Sequence, residues 1–259
     1  MSIESQADFE GIRRVGRVVA EALRAMERET QADVTTGELD AIGAAVLKHQ
    51  GARSAPQLFY GCPTTTLISV NDEIVHGLPG ARRLRGGDVV KLDVTAELDG
   101  YIADAATTVV VPRATAVGER LKECALAAFE GGCRAARAGD PVAHIGRAVE
   151  EIVNSYGFSV IRALSGHGVG RAIHEEPTVP NFYDPQQQAT LTEGLVLTIE
   201  PIIAAQPKAG RSRSNRTPRV IEQPDGWTLR THNGCLAAHY EHTLIITKGA
   251  PLVVTRLEG

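Results

Sequence analysis

Apolar residues recur at intervals of three and four from Ile12 through Val15, Val19 and Leu23 to Met26, with Arg, Glu and Gln between them. That period predicts an amphipathic helix over about residues 5 to 29. Thr35 and Glu38 then have capping-box spacing, Leu39, Ile42, Val46 and Leu47 form an apolar stripe, and Gly51 supplies a stop, so a second helix follows directly. From about residue 57 to 111 the period shortens to that of strands. Thr65 to Val70 and Ile74 to Val75 are short runs, and the run from Gly87 to Val111 folds about Asp99-Gly100, a two-residue hairpin signal. The order then repeats. Residues 118 to 138 read as a helix weakened by Gly131-Gly132, and Asp140-Pro141 opens another that carries Val142, Ile145, Val149 and Ile152 up to Gly157. Strands are expected at Phe158 to Leu164, Leu195 to Ile199, Trp227 to Thr231 and Leu236 to Thr247, the last two joined across Asn233-Gly234. Two halves of helix, helix and strands, about 4–112 and 113–255, predict one α+β domain over residues 1–259. Their sheets are expected to join under helices on one face, with a cleft between the halves.

Composition narrows the class without choosing a chemistry. With 43% hydrophobic and 22% charged residues among 259, the chain has the makeup of a globular protein with a full core. A net charge of −4 gives no overall attraction to nucleic acid or membrane, so such a contact needs a local patch. The opening MSIESQADFE lacks the apolar core of a signal peptide, and no run approaches the roughly 18 apolar residues of a membrane span, so a cytoplasmic protein is expected. Cys62, Cys124, Cys133 and Cys235 have no CxxC spacing, which fits reduced thiols better than disulfides or a zinc-thiolate site.

The candidate chemistry lies in acids placed among strand residues. In the register set by a turn at Asp99-Gly100, Asp93 and Asp104 fall diagonally on adjacent strands and share one patch. Like charges so close need a proton or a cation between them. Alone, such a pair reads as two solvated aspartates near a turn. The second half changes the picture. GHGVGRAIHEEP, residues 166 to 177, carries His167 and His174 among glycines that permit close backbone approach, and Pro177, Pro180 and Pro185 exclude the helix a dinucleotide loop requires. Glu200 closes the apolar run LVLTIEP, and Glu241 in HYEHTLIIT shares the alternation of a strand. Singly, each has a structural reading: a hydrogen-bonded histidine, a strand-end glutamate, a cross-strand ion pair. Together, Asp93, Asp104, His167, Glu200 and Glu241 are four carboxylates and an imidazole, too hard a set for thiolate-type zinc and too charged for a structural site. Two divalent cations neutralise four such charges, and a paired centre activates water and clamps an oxyanion, so hydrolysis of an amide or ester is implied. His76, in SVNDEIVHGLPG, and His174 are then candidates to bond substrate and the tetrahedral intermediate.

SVNDEIVHGLPG, GDVVKLDVTAELDGYIAD, GHGVGRAIHEEP, TIEP and YEHT, in this order and spacing, resemble the type I methionine aminopeptidases, enzymes of the pita-bread fold. The resemblance runs from about residue 4 to the C-terminus. It implies that two divalent ions, of cobalt, manganese, iron or zinc, remove the initiator methionine from nascent chains. By the same match Asp93 would ligate one metal, Asp104 and Glu241 would bridge both, and His167 and Glu200 would ligate the other. Glu200 would help activate the water, His174 would contact the substrate carbonyl, and His76 would lie near the scissile nitrogen. A monomer working on nascent N-termini, with no membrane partner, is expected.

Departures from the family cluster at the pocket for the methionine side chain. Phe59 and Cys62 match positions that are usually aromatic, Val75 stands where the family has cysteine, Ile173 replaces phenylalanine, and Trp227 is retained. Loss of side-chain volume there predicts an altered preference for the first residue or altered inhibitor sensitivity, against compensating changes that leave specificity alone. QPKAGRSRSNRTPR, residues 206 to 219, is longer than the matching loop of compact members and holds five Lys or Arg and no acid. It is either solvated or a contact for ribosomal RNA near the nascent-chain exit. Two rival functions remain: a proline-specific peptidase of the same fold, and a non-catalytic binding or regulatory paralogue.

Overall fold

The computed structural model describes residues 1–205 and 218–257, so nearly all of the basic segment 206–219 lies outside the described residues. The first half comprises α1 (Gln6–Glu29), α2 (Thr36–His49), β1 (Arg53–Ser54), α3 (Ala55–Tyr60), β2 (Leu67–Val70), β3 (Glu73–Val75), β4 (Val89–Leu98) and β5 (Tyr101–Val110). Then follow α4 (Ala116–Ala135), α5 (Ala143–Ser155), β6 (Ser159–Val160), β7 (Ser165–Gly168), β8 (Glu175–Pro180), β9 (Val196–Ile199) and β10 (Ile202–Ala204). Beyond the undescribed residues come β11 (Val220–Glu222), β12 (Leu229–Thr231), β13 (Ala237–His239), β14 (Glu241–Ile245) and β15 (Leu252–Val253).

The predicted stripe of α1 is buried along its length, from Ile12 to Met26, and the helix starts where the Ser5 side chain accepts a hydrogen bond from Asp8 N. The capping box of α2 forms in both directions: Thr35 Oγ1 accepts from Glu38 N, and Glu38 Oε2 accepts from Thr35 N at 2.7 Å. β4 and β5 pair from Leu98↔Tyr101 to Val89↔Val110 around Asp99 and Gly100, whose φ values of 52° and 80° match the twist of a tight hairpin. Val90, Leu92, Val94 and Ala96 share one hydrophobic cluster with α1 and α2, whereas Asp93 and Thr95, between them in the alternation, project from the other side. Asp93 pairs with Ala106 and Asp104 with Thr95, so the two acids are diagonal neighbours, as the turn predicts.

This hairpin belongs to a nine-stranded sheet whose main path runs β1-β4-β5-β14-β9-β7-β8, with β2 on β4 and β15 on β14. β14 joins the halves, pairing with β5 on one side and β9 on the other. α4 and α5 cover the second half, with a core of Leu121, Phe129, Ile145, Val149, Leu197, Ile199 and Leu244. α4 runs through Gly131 and Gly132 rather than ending there. A Cβ on Gly132 would stand 3.0 Å from Ile199 Cγ2 and one on Gly131 would overlap Ile152, so the glycines let helix, helix and sheet approach closely.

Several expectations need correction. The turn expected at Asn233-Gly234 forms one residue earlier, with Gly234 N donating to Thr231 O at 3.3 Å around His232-Asn233, and β12 and β13 do not pair with each other: β12 joins β3 and β11, and β13 joins β10. Both flanks take partners on one outside segment, Thr231 N donating to Asp72 O at 2.9 Å and Ala237 N to Asn71 O at 3.0 Å. The run from 236 to 247 breaks at Tyr240, whose N–H turns to Pro201 O at 3.3 Å, so its two parts enter different sheets. The strand expected from Phe158 to Leu164 is only Ser159–Val160. α5 starts at Ala143, because Pro141 bridges Thr190 and Leu191 N bonds Asp140 O at 2.9 Å. Residues 55–60 are helical, not extended: Ser54 caps them, Pro56 sits in the first turn and Gly61 closes them in the left-handed region.

Lys91, between the two core faces of β4, is 1% exposed, with Nζ donating to Asn71 O at 2.8 Å and Val89 O at 3.4 Å. Burial pulls its pKa from 10.5 down to about 7. The unfolded chain therefore binds the extra proton between those two values, and this residue makes stability rise with pH by up to about 1.4 kcal/mol per unit. Lys91→Met is expected to flatten that rise, measured by chemical denaturation from pH 7 to 10.

Candidate metal centre and active-site cleft

Adjacent strands bring the five candidate ligands to one face of the sheet. Asp93 is on β4, Asp104 on β5, Glu241 opens β14, Glu200 follows β9 and His167 is on β7. His242, next in the alternation after Glu241, packs edge-on against Phe129 of α4 at 5.1 Å, which turns Glu241 away from the helices. Asp104, Glu200 and Glu241 are buried, while Asp93 and His167 are partly exposed.

Threonines on the same face fix the carboxylates. Thr95 Oγ1 donates to Asp104 Oδ1 and Thr198 Oγ1 to Glu200 Oε1, both at 2.8 Å. Thr198 Oγ1 also accepts from His167 N at 3.1 Å, and Thr243 Oγ1 is bonded to both Asp104 N and Asp104 O. Close contact between β7 and its neighbours depends on glycine: a Cβ on Gly166 would lie 2.7 Å from Thr198 O, and one on Gly168 would overlap the Glu176 carbonyl. His167 Nδ1 bonds Gly168 O at 2.9 Å, so it carries the proton and leaves the Nε2 lone pair, 3.4 Å from Glu200 Oε1, free to bind a cation.

Crowded and buried, these acids hold their protons. Burial, then the neighbouring carboxylates, pushes Asp93 and Glu241 well above the usual range. Burial raises Asp104 to about 7, against hydrogen bonds that lower it, and Glu200 to about 8. Asp93 bonds Asp104 and Glu200 bonds Glu241 side chain to side chain, so shared protons offset the repulsion. Cations in place of those protons would satisfy the same oxygens. Asp104, His167 and Glu241 each offer a donor atom within 4.8 Å of the others, and so do Asp93, His239 and Glu241. Glu241 Oε1 has no hydrogen-bond partner among the described residues. The donors therefore fit two hard or borderline divalent ions sharing Glu241.

A cavity of about 150 Å³ opens onto this centre. Val75, Ile173 and Trp227 line it, as do His76 and His174; Leu67, Leu164 and Ile202 complete an aliphatic wall. Asp225 presents the tryptophan, its carboxylate accepting from Trp227 N at 2.9 Å and Thr228 N at 2.8 Å. Phe59 and Cys62 are not lining residues. Phe59 is 49% exposed on α3, and the Cys62 sulfur lies 3.5 Å from Thr64 Oγ1. Tyr60 reaches the cavity instead, its hydroxyl 2.8 Å from His174 Nδ1. The helix points neighbouring side chains about 100° apart, so Phe59 and Tyr60 face different surroundings.

His76 sits in the left-handed region, φ 59°, just before Gly77, which is held by Ile68 N to Gly77 O at 2.7 Å and Gly77 N to Ser69 Oγ at 2.9 Å. Burial, then His174, lowers its pKa to about 4, and the same causes lower His167 to about 4. Burial also lowers His174, whose ring centroid is 4.4 Å from that of His167. All three are neutral at pH 7. Sequence reasoning missed Tyr60, Thr95, Thr198 and His239. A period of two from Asp93 and from Glu200 reaches both threonines, so that signal was present.

Residues 10–248 match the profile of metallopeptidase family M24. The chain is 39% identical over 259 residues to methionine aminopeptidase 2 of Bacillus subtilis, covering 99% of this chain and 100% of that one. It superposes on the crystal structure of methionine aminopeptidase from Thermotoga maritima with a TM-score of 0.91 at 31% identity, covering 99% of this chain and 100% of the other. Prolidase from Pyrococcus furiosus gives a TM-score of 0.75 at 24% identity, with 66% of its length covered, and so shares the fold alone.

Proposed function

The chain belongs to metallopeptidase family M24, and on that premise we propose that it removes N-terminal methionine from proteins and peptides by hydrolysing the first peptide bond. The observation that carries this reading is a small aliphatic cavity, closed by Trp227, ending on two donor triads that share Glu241. A cavity of that size takes one side chain, as an exopeptidase requires. Asp93, Asp104 and Glu241 would hold one divalent ion, and Asp104, Glu241, His167 and Glu200 the other. Bound there, the pair supplies an activated water and a Lewis acid for the scissile carbonyl.

The chain's own groups do the rest. Glu200, fixed by Thr198 and ionised once cations replace the protons of the cluster, would receive the proton of the attacking water and return it to the leaving amine. His174 donates to the carbonyl oxygen as it becomes an oxyanion. The Tyr60 hydroxyl at Nδ1 favours the tautomer with its proton on Nε2, and the low pKa keeps the ring a neutral donor. His76, neutral and held by its strained backbone, faces the scissile nitrogen. Val75, Ile173 and Trp227 contact the methionine side chain. Phe59 and Cys62 act one layer away, through Tyr60 and the packing of α3. The alternatives of proline specificity and of a binding role lose ground to the full ligand set and the near-complete coverage of relatives named as methionine aminopeptidases.

The test is hydrolysis of Met-Ala-Ser against the same tripeptide with Leu, Ala or Pro first, using metal-stripped protein reloaded separately with Co, Mn, Fe or Zn. Metal-dependent release of methionine alone is expected. Release of another residue would mean that Val75, Ile173 and their neighbours redirect the chemistry, and a failure to release any residue with any of the ions would sink the enzyme reading. Nascent chains in the cytoplasm are the natural source of such N-termini, and no helix among the described residues is long and apolar enough to cross a membrane. We read the protein as a monomer whose segment 206–219 touches ribosomal RNA. Ribosome co-sedimentation that survives deletion of the segment would remove that contact.

A further inference from the structure

His239 has no role in the mechanism above, yet it stands inside the centre. The side chain is 2% exposed, and neither ring nitrogen has a hydrogen-bond partner among the described residues. Histidines buried for structural reasons are bonded, because an unmet imidazole N–H costs more than an apolar side chain of the same shape. The ring is also aimed. Nε2 lies 3.4 Å from Glu241 Oε2 and 3.7 Å from Glu200 Oε2, and its donor atom falls within 4.8 Å of those of Asp93 and Glu241. Its backbone is pinned by Thr108, whose Oγ1 accepts from His239 N at 3.0 Å and donates to His239 O at 2.7 Å. β10 adds the pair Ile202↔His239.

We propose that His239 Nε2 is a nitrogen ligand of the cation held by Asp93 and Glu241. This rests on the reading of the site as a two-cation centre. Each cation then has one imidazole, His167 on one side and His239 on the other, with Glu241 shared. A nitrogen ligand turns the Asp93 position from an all-oxygen site, suited to manganese, towards ions that favour imidazole, such as zinc, iron or nickel. It also gives the buried ring the partner it lacks in the protein.

The test uses the full chain, stripped by a chelator and titrated with Co²⁺ by calorimetry. It is followed by proton NMR of the loaded protein, in which each ligating imidazole gives a shifted exchangeable N–H. The wild type is expected to bind two ions and show two such signals. His239→Gln is expected to show one signal and to lose at least about tenfold in affinity at one site, with the other unchanged. A single imidazole signal in the fully loaded wild type, which needs no variant to fold, overturns the proposal. So does a His239→Gln isotherm identical to that of the wild type. A wild type that binds no divalent ion sinks the two-cation reading itself, and the proposal with it.

Discussion

Replacing Glu241 with glutamine is expected to lower kcat/KM for Met-Ala-Ser by at least about 10³-fold, a loss of roughly 4 kcal/mol of transition-state stabilisation. Glu241 is the residue common to both donor triads, so one change removes an anionic donor from each. The amide keeps the shape of the carboxyl but neither its charge nor its strength as a ligand. Stability of the metal-free protein should move the other way. Asp104, Glu200 and Asp93 all repel a charge at 241, so as rising pH ionises Glu241 in the wild type the substitution avoids that repulsion. A variant that is inactive, binds metal weakly and melts at or above the wild-type temperature fits this account; one that keeps wild-type activity at limiting metal refutes the shared-ligand assignment.

The second large effect concerns pH and metal together. Asp104 and Glu200 have folded pKa values raised to about 7 and 8, from 3.8 and 4.5, and Asp93 and Glu241 are held well above the ordinary carboxylate range. Groups raised in this way stabilise the folded state below the unfolded pKa, and that contribution is lost as pH climbs through the folded value. Below pH 6.5 the buried His76, His167, His239 and His242 oppose it, since unfolding lets them take up protons. The metal-free protein should therefore lose stability from this cluster between about pH 6.5 and 8. Lys91 works against the trend above pH 7, so Glu200→Gln is the proper comparison, with a slope shallower by up to about 1.4 kcal/mol per unit. Cations reverse the sign. They bind deprotonated ligands, so their affinity rises with pH, and an excess at 100 times Kd adds about 2.7 kcal/mol. Melting curves with and without metal should thus diverge as pH rises. Parallel curves would show that the carboxylates do not carry the cation.

Much of this candidate centre was legible because its candidate ligands obey the periodicities of the elements that hold them. Asp93 and Asp104 could be placed as diagonal neighbours because a two-residue turn leaves one register. Glu200 and Glu241 announced themselves as charges in apolar runs. The errors came where local chemistry and tertiary demand disagree. The chain does turn beside Asn233, yet the flanks are claimed by Asn71 and Asp72, about 160 residues upstream, and no local signal records that competition. Matching positions to the family puts Phe59 at the pocket, but the short helix Ala55–Tyr60 presents Tyr60 there instead. His239 shares the period of two with Glu241 inside the run read as one strand, so its signal was present in the sequence and was passed over.

The position of β14 bears on how the protein is made. It is among the last strands in the chain, yet it occupies the middle of the sheet, between β5 and β9. Until the ribosome has delivered residue 245, each half must wait with a long strand edge unpaired, a template for mispairing. The same strand brings Glu241, so no fragment ending before it can hold the shared ligand. Capture of metal therefore requires the whole chain: a fragment that stops short of this strand completes neither donor triad.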